Sequence, residues 1–534
     1  MNFTNNEIDR FGSAAFAERS EIARAGMFTQ TPDTLLVGFL GDKPLWYNGA
    51  GGVLLVAGAR GGKLRDILAY NVCSGICAHA MVFLDMKGEL AAISQDQTGD
   101  RKFCAYWNPS RLHGLPEDRI NPVDYIRGGS PSLVADVKVF CHNLLPPSGS
   151  ASASYFEERA REFLEGIALT LTRQKGMLTI PDLVAAINLI PGGGDAWLDF
   201  AFEMSESGFP LSVRIEEEIA ASRENPSNGF QGILGELFKA FAPFSDPVLL
   251  ASVSPPYTFS FSQLCETGQS WHVYLMPPAE YVEAWAPALK AMFVSAMIYK
   301  SRAPQAPRQT WVLDEAAQLG GFPLIPKLFT YGAGIGIRPV AVFQSLDQLR
   351  AVAPHAETII PSSAACQIFF AIRDIGSASS LSRMLGAQTL EFDDKRQQAQ
   401  ARLAKRQALQ SLLNGGDPFS TGIAYKHHKE EEARRTKQHR LLRTPDEILN
   451  TPPDKAYVFA DGLAHPIYAD RKPYYDQRWM AGRYHPNPYH PPLDRVRVKL
   501  RFGHGTLPVV RERVPSRFSH FPQYRDGFWS HVKG

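Results

Sequence analysis

The sequence predicts an α/β protein with a doubly wound, mainly parallel sheet and an inserted all-α domain. Three observations lead to this fold class. Apolar runs of strand length recur along the chain, one of them leads into a Gly-rich turn with a Lys, and another ends in Asp-Glu. Continuous apolar runs are typical of strands that are buried on both faces of a parallel sheet.

Six apolar runs are the predicted strands, with helical crossovers between them. The runs are Val53 to Ala57, Ala80 to Asp85, Trp271 to Met276, Thr310 to Asp314, Pro339 to Gln344 and Gln367 to Ile372. Between the second and the third run, apolar residues recur at helical spacing instead, in segments 155–168, 180–190 and 215–221.

These patterns predict five parts of the chain. A polar segment comes first, the α/β domain is split in two by the all-α insertion, and a basic tail rich in Pro and aromatic residues ends the chain. The predicted bounds are 1–34 for the segment, 35–144 and 261–485 for the α/β domain, 145–260 for the insertion and 486–534 for the tail.

Length and composition fit a globular protein with more than one core. The chain has 534 residues and a net charge of only +2, so any surface for nucleic acid must be local. No apolar run reaches the length of a membrane-spanning helix, and Met1 to Arg10 lacks the apolar core of a signal peptide. We therefore expect a cytoplasmic protein. No two pairs of its six cysteines combine into a zinc spacing, so buried reduced thiols are favoured over a metal or redox role.

Two charged segments leave alternatives open. The run Lys426 to Arg440 mixes Lys, His, Glu and Arg, which is typical of a solvated loop or helix face, although it could also contact nucleic acid. In the tail, Arg alternates with apolar residues over Val496 to Leu500, as in an edge strand. A structural or partner-docking role is favoured for this tail over contact with nucleic acid.

The Gly-rich turn at residues 57–64 is a candidate P-loop. A consensus P-loop, G-x-x-x-x-G-K-S/T, brings its backbone and Lys to phosphate and its hydroxyl to magnesium. This turn has Ala57 in place of the first Gly and Leu64 in place of the hydroxyl residue. The candidate phosphate-binding residues are Gly58, Arg60, Gly61, Gly62, Lys63 and Leu64. A turn of this kind can also serve packing alone.

The Asp-Glu pair ends the strand around Trp311. At such a strand end Asp314 can hold Mg²⁺ through a bound water, and Glu315 can accept a proton from the attacking water. An Asp-Glu pair can instead cap the helix that follows. Because the turn and the pair lie on strands of one predicted sheet, we favour a nucleotide site with ATP and Mg²⁺ as ligands.

Several further short segments occur in a fixed order. They are 38–52, 83–90 (F-L-D-M-K-G-E-L), 121–124 (N-P-V-D), 312–320 (V-L-D-E-A-A-Q-L-G), 334–338 (G-I-G-I-R), 344–349 (Q-S-L-D-Q-L) and 441–448, which contains T-P-D-E. Their order resembles that of the type IV secretion coupling proteins of the TraG/TraD kind, from about Leu35 to about Tyr489. These are ring-forming ATPases that feed DNA or protein substrates into a conjugation or secretion channel.

The resemblance implies a RecA-like P-loop fold and a role for individual residues. Lys63 and the backbone of the turn would cradle phosphate, Asp314 and Glu315 would serve magnesium and water, and Gln344 would sense the γ-phosphate. Asp85 would face the same site from a neighbouring strand end. Without the resemblance, Gln344 could simply begin a helix, and Asp85 could pair with Lys87.

The resemblance also implies partners. These are a relaxase or a secreted protein as substrate, the type IV secretion channel with its ATPases, single-stranded DNA, and further copies of the chain in a homo-hexamer. Only about 35 polar residues precede the core, so we expect a member of the family without a membrane anchor, which reaches the inner membrane through a partner.

Two other functions remain open at this point. The altered P-loop is compatible with a catalytically silent scaffold or recruitment subunit of the same machinery, because Leu64 removes the hydroxyl that would serve magnesium. A DNA pump of the FtsK/HerA type shares the expected core but lacks the segment from Thr444 to Glu447. The sequence therefore predicts an ATPase whose hydrolysis is not assured.

Overall fold

A computed structural model gives the fold. It describes residues 12–94, 102–146, 154–224, 228–392, 395–413, 417–433, 436–480, 483–490, 495–499, 501–519 and 527–532. The strands are β1 (Leu35–Leu40), β2 (Lys43–Tyr47), β3 (Val53–Ala57), β4 (Ala80–Leu84), β5 (Lys102–Trp107), β6 (Ser270–Leu275), β7 (Gln309–Leu313), β8 (Ile337–Phe343), β9 (Cys366–Phe370), β10 (Ala387–Phe392), β11 (Thr436–Leu441), β12 (Lys455–Ala460), β13 (Ile467–Asp470), β14 (Arg495–Lys499), β15 (His504–Arg513) and β16 (Phe528–Val532).

The α-helices follow the same numbering. They are α1 (Arg19–Arg24), α2 (Ala69–Cys73), α3 (Glu89–Ile93), α4 (Leu133–Leu144), α5 (Ser154–Lys175), α6 (Ile180–Gly192), α7 (Asp195–Ser205), α8 (Pro210–Glu224), α9 (Asn228–Phe241), α10 (Pro247–Ser252), α11 (Ala286–Arg302), α12 (Leu324–Ile335), α13 (Ala356–Ser363), α14 (Ile375–Leu385), α15 (Lys395–Leu413), α16 (Pro418–Ala433) and α17 (Pro445–Leu449). None of the helices described is both long and apolar enough to cross a membrane.

The main sheet has eleven strands in the order β2-β1-β13-β12-β9-β3-β8-β7-β4-β6-β5. The seven strands from β9 to β5 are parallel to one another. The other four extend the sheet in antiparallel fashion from β9. The predicted fold class is confirmed, and all six predicted strands are present in the parallel part. The sheet also contains β5, which the apolar pattern had not indicated.

Burial on both faces explains why the parallel strands read as continuous apolar runs. Every residue of β3, β4, β7 and β8 is buried. Along β3, Leu54 and Val56 belong to one hydrophobic core, whereas Val53, Leu55 and Ala57 belong to the core on the other face. Alternate residues of a strand point to opposite faces, so a strand between two cores must be apolar throughout.

Helices α4 to α10 fill the segment between β5 and β6. The longest of them, α5, has apolar residues on one face and places Phe163 against Phe230 of α9, with ring centroids 6.2 Å apart. Thr179 caps α6 by accepting a hydrogen bond from the backbone N–H of Asp182. The division of the chain at residues 145 and 260 stays a prediction.

Two small sheets lie outside the main one. Strands β10 and β11 form a two-stranded ribbon that carries α15 and α16 between its strands, and β14, β15 and β16 form a three-stranded sheet with β14 at its edge. The predicted edge strand at Val496 to Leu500 corresponds to β14, although Leu500 itself lies outside the described residues. The run Lys426 to Arg440 was predicted as a loop or helix face, and this is wrong for its second part, because residues from Thr436 onward pair in the ribbon.

Candidate functional site

Four neighbouring strands bring the predicted site residues to one edge of the sheet. The Gly-rich turn follows β3, Gln344 follows β8, the Asp-Glu pair follows β7, and Asp85 follows β4. These strands are adjacent in the order β3-β8-β7-β4 and parallel, so their carboxyl ends meet at the same edge. Ligands of doubly wound sheets bind at this edge.

The turn after β3 adopts a conformation that needs small residues. Gly62 has φ +89°, and Arg60 has φ +58°, in the left-handed region that costs a non-glycine residue on the order of 1 kcal/mol. The N–H of Gly61 donates to the carbonyl oxygen of Gly58 at 2.9 Å. This hydrogen bond closes the turn before the chain enters the next helix.

Ala371, after β9, packs against the turn. A Cβ on Gly58 would lie 2.3 Å from the carbonyl oxygen of Ala371, and one on Gly61 would lie 2.9 Å from its Cβ. Both distances are too short for real atoms, so the two glycines are required by close packing here. The glycines of the turn therefore do serve packing against Ala371. This packing fixes the conformation of the turn and is compatible with phosphate binding.

Lys63 is held between the two carboxylates of the Asp-Glu pair. Its Nζ lies 2.9 Å from Oδ1 of Asp314 and 3.0 Å from Oε1 of Glu315. Each of these three side chains is about one-fifth exposed (18, 19 and 20%). A ligand that approaches this edge of the sheet therefore meets one ammonium group and two carboxylates together.

Burial and neighbouring charges shift the pKa values of Lys63 and Asp314. Burial alone would lower the pKa of Lys63, but the charges of Asp314 and Glu315 outweigh it and hold this pKa above its ordinary value. Burial raises the pKa of Asp314, and the nearby ammonium group of Lys63 offsets this only in part. Lys63 is thus cationic at neutral pH.

Glu315 and Gln344 contact each other beside Lys63. Nε2 of Gln344 donates to Oε1 of Glu315 at 3.4 Å, while the Gln344 backbone N–H donates to the side chain of Gln348. Glu315 has φ +53° and precedes a 3₁₀ turn at Ala316–Leu319, where its side chain makes no cap hydrogen bond. The simple capping alternative for Glu315 therefore does not describe its side chain.

Asp85 is buried beside the same site, but its carboxylate is engaged by backbone. Its two oxygens accept hydrogen bonds from the N–H groups of Glu89 and Ala91 at the start of α3, at 3.0 and 2.8 Å. Burial raises the pKa of Asp85 to about 7, and the charge of Asp314 adds to this rise. The alternative pairing with Lys87 is replaced by these two backbone contacts.

Leu64 begins a π-helix at Leu64–Leu68 that continues into α2. It occupies the position where a consensus P-loop has its hydroxyl, and its side chain is partly buried against the core. Several residues at the turn were not indicated by the sequence: Asp66, Ala371 and Arg471, of which Arg471 donates to the carbonyl oxygen of Gly61 at 2.7 Å. No motif marks Arg471, which comes more than 400 residues after the turn.

The arrangement can hold a nucleotide with its metal. Backbone N–H groups of the turn and Lys63 suit phosphate oxygens, and Asp314 suits a hydrated Mg²⁺. Within the described part of the chain, no three His, Cys, Asp or Glu side chains converge as a metal cage. In phosphate sites Mg²⁺ takes one or two carboxylates, waters and the phosphates themselves.

Comparison with known proteins gives two relatives from Escherichia coli, each called conjugal transfer protein TraG. One is 24% identical over 429 residues, which cover 71% of this chain and 65% of the relative. The other is 25% identical over 423 residues, which cover 71% of this chain and 64% of the relative. The match thus spans just under two-thirds of the length of these relatives.

Among solved structures, the bacterial conjugative coupling protein TrwB has a similar fold. Its unbound form, solved as TrwBdeltaN70, superposes with a TM-score of 0.56 at 17% identity, covering 86% of this chain and 97% of the solved chain. The plasmid coupling protein TrwB in complex with the ATP analogue ADPNP gives a TM-score of 0.55 at 16% identity, covering 87% and 95%. At these identities the similarity establishes the fold.

A family model described as type IV secretory system conjugative DNA transfer matches residues 4–413. This range is more than half of the chain, and it contains the turn, the helical segment and the Asp-Glu pair. The chain therefore belongs to the type IV secretory system conjugative DNA transfer family.

Proposed function

We propose that this chain is an ATP-dependent coupling protein. It recruits a relaxase with its DNA strand, or a protein substrate, to a type IV secretion channel and drives the transfer by hydrolysing ATP. The observation that carries the proposal is the contact of Lys63 with both Asp314 and Glu315 at the carboxyl edge of the sheet. These are the three groups that phosphoryl transfer from a nucleotide needs: a cation for phosphate, a carboxylate for magnesium and a base for water.

Each residue of the site has a definite task in this proposal. Lys63 and the backbone N–H groups of the turn bind the phosphates, and Asp314 orients a water on Mg²⁺. When bound, Mg²⁺ supplies charge neutralisation at the phosphates. Glu315 accepts the proton of the attacking water, and Gln344, which already contacts Glu315, responds to the γ-phosphate. The TrwB structures with ADPNP and with ADP and Mg²⁺ support ATP and Mg²⁺ as the ligands.

The assembly that we propose is a homo-hexamer at the cytoplasmic side of the inner membrane. The hexamer reaches the membrane through a partner protein of the secretion channel. It also contacts the channel ATPases and single-stranded DNA carried by a relaxase. Support comes from the family match and from the resemblance to conjugative coupling proteins.

The experiment is ATP binding by titration calorimetry with the wild type and Lys63→Ala. We expect the variant to bind ATP at least tenfold more weakly, because the ammonium group of Lys63 makes charge-assisted hydrogen bonds to phosphate. Lys290→Ala is a control, since Lys290 contacts the carbonyl oxygen of Gly321 and makes no contact with the turn. Equal affinities of the wild type and Lys63→Ala would mean that the turn is only structural.

A second function, a catalytically silent scaffold of the same machinery, is favoured by one observation. Leu64 places an apolar side chain where a hydroxyl would ligate magnesium, and the π-helix begins there. In this case ATP binds to the site but is not hydrolysed, and a partner ATPase supplies the energy. ATP turnover by the wild type, measured with DNA and a secretion partner present, separates the two functions.

A further inference from the structure

Arg471 lies directly after β13 and reaches the Gly-rich turn through the interior. Its Nη1 donates to the carbonyl oxygen of Gly61 at 2.7 Å, and its Nη2 lies 3.4 Å from Oδ2 of Asp66. The side chain is only 3% exposed, and the guanidinium group lies over the ring of Phe370, 4.1 Å from the centroid. Its Nη2 also donates to the carbonyl oxygen of Pro453. These contacts fix the planar group in one position.

The contact with Gly61 sets the direction of a peptide group. In a trans peptide the carbonyl of one residue and the N–H of the next point in opposite directions. Since Arg471 holds the carbonyl of Gly61 toward itself, the N–H of Gly62 points away from Arg471. This is an N–H of the turn that, in a P-loop, binds phosphate.

Asp66 places a negative charge beside the same turn. Its side chain is fully buried, and a Cβ on Gly62 would lie 2.9 Å from its Oδ2. Arg65 pairs with it through Nε and Nη2 at 2.6 and 2.9 Å. Uncompensated, this buried carboxylate would repel a phosphate bound to the turn.

The two arginines do not compensate Asp66 equally. The side chain of Arg65 is 43% exposed, so water screens its charge, whereas Arg471 is buried and its charge is screened much less. Together the side chains of Arg65, Asp66 and Arg471 carry one net positive charge. Arg471 is the buried cation of the three, so its charge is the one that acts on the turn with little screening by water.

We propose that Arg471 is a positioning residue for nucleotide binding, which orients the Gly61–Gly62 peptide and neutralises Asp66 behind the phosphate site. The inference rests on the proposed function, since it assigns a residue to the same ATP site. Arg471 follows a strand of the antiparallel part of the sheet. Its contacts therefore link the Gly-rich turn to the part of the chain that follows residue 452. Arg471 does not touch the nucleotide and acts through the turn.

The test is a double-mutant cycle on ATP affinity, measured by titration calorimetry. We expect Arg471→Gln to weaken ATP binding at least tenfold. Asp66→Asn, which is nearly isosteric, should tighten it about two- to tenfold, because it leaves the charge of Arg471 unopposed. The double variant should recover at least threefold of the affinity that Arg471→Gln loses, since no buried charge is then uncompensated.

A purely structural role of Arg471 predicts a different pattern. The double variant would then bind ATP as weakly as Arg471→Gln or more weakly, and Asp66→Asn would not exceed the wild type; either result overturns the inference. Arg338→Gln is the matched control. Arg338 is equally buried and donates to the carbonyl oxygens of Asp33 and Gly49, but it is the second residue of β8 and lies at the opposite edge of the sheet. It should lower the melting temperature without changing ATP affinity.

Failure of the inference and failure of the proposed function give distinct results. If the wild type does not bind ATP, the proposed function is wrong. If the wild type binds ATP and Lys63→Ala does not, while Arg471→Gln and Asp66→Asn both bind like the wild type, only the positioning role is wrong.

Discussion

At the scale of single residues, the site combines groups whose charges oppose one another. Lys63 contacts both Asp314 and Glu315, which leaves the third N–H of its ammonium group for a phosphate oxygen. Asp85 is a buried carboxyl group, and the negative charge of the partly buried Asp314 beside it raises the cost of ionising Asp85. This balance makes the protonation of Asp85 sensitive to pH in the neutral range.

Asp85 should make the stability of the nucleotide-free protein depend on pH. Its pKa is about 7 in the folded state and near the ordinary value of about 4 in the unfolded chain. Between these values the unfolded state loses its proton while the folded state keeps it, so stability falls as pH rises from about 4 to 7 and then levels off. Asp85→Asn removes this dependence. Each pH unit between about 4 and 7 therefore changes the difference in the free energy of unfolding between the wild type and Asp85→Asn by up to about 1.4 kcal/mol.

The measurement is the melting temperature of the wild type and of Asp85→Asn between pH 4 and pH 8. With rising pH the melting temperature of Asp85→Asn should increase relative to that of the wild type, and the difference between the two should become constant above pH 7. Asp42→Asn is the control, since the side chain of Asp42 is 89% exposed. A difference that stays constant over this range, or moves in favour of Asp, would contradict the account of Asp85.

At the scale of elements, the Gly-rich turn is fixed by the strand ends around it. We expect Gly58→Ala to destabilise the protein by about 1–3 kcal/mol, because the new Cβ would lie 2.3 Å from the carbonyl oxygen of Ala371 and one of the two segments must move. ATP affinity should fall as well, because the clash lies in the turn that binds phosphate in the proposed function. Urea unfolding and titration calorimetry measure the two effects.

Gly321→Ala is the matched control for this substitution. Gly321 follows the Asp-Glu strand on the same side of the sheet, and a Cβ there would meet no atom within 4 Å. Gly321→Ala should therefore keep both stability and ATP affinity. If Gly58→Ala behaves like this control, the packing of Ala371 on the turn is not required.

In the main sheet, strands that are buried on both faces were predictable from the sequence, and half-buried strands were not. Six of the seven parallel strands had continuous apolar runs, which only a strand between two cores requires. Strand β5 lies at the end of the sheet and begins with exposed or partly exposed residues at Lys102 to Cys104, so it lacked this pattern. Strand β13 alternates buried and partly buried residues over only Ile467–Asp470 and was missed for the same reason.

The candidate site was predictable where short motifs carry chemistry. Lys63, Asp314 and Glu315 were indicated by strand ends with charged residues and Gln344 by the family resemblance, and the four side chains lie together. Arg471 was not predictable, because its role depends on the pairing of β13 beside β12 and on no local pattern. The π-helix after Lys63 also has no signal in the sequence.

At the scale of the whole molecule, the net charge of +2 limits how DNA can be bound. A ring of subunits needs only a basic lumen, and assembly multiplies a modest local patch. We expect the monomer to bind single-stranded DNA weakly and the assembled ring to bind it more tightly. Since such contacts are to phosphates, the affinity should fall steeply between about 50 and 200 mM salt and depend little on base sequence.

Fluorescence anisotropy of a labelled oligonucleotide, measured at several salt concentrations, tests the DNA prediction. The measurement is made with and without ATP to promote assembly, and with oligonucleotides of two unrelated sequences. Absence of binding at low salt under both conditions would exclude direct DNA contact and favour a protein substrate for the coupling reaction.

The central claim is that Asp314, Glu315 and Lys63 form a site that binds and hydrolyses ATP. It is tested most directly by comparing ATP turnover and ATP affinity of the wild type and Glu315→Gln, with DNA and a secretion partner present. Loss of a general base slows the chemical step by about two to four orders of magnitude. A general base adds little to ground-state binding of ATP. Removing the charge of one carboxylate beside Lys63 also favours the contact of Lys63 with phosphate.

The account predicts that the wild type hydrolyses ATP, and that Glu315→Gln binds ATP at least as tightly while its turnover falls by about 10²- to 10⁴-fold. Turnover by Glu315→Gln equal to that of the wild type would show that another group activates water. No turnover by the wild type under these conditions would contradict the motor and favour the scaffold.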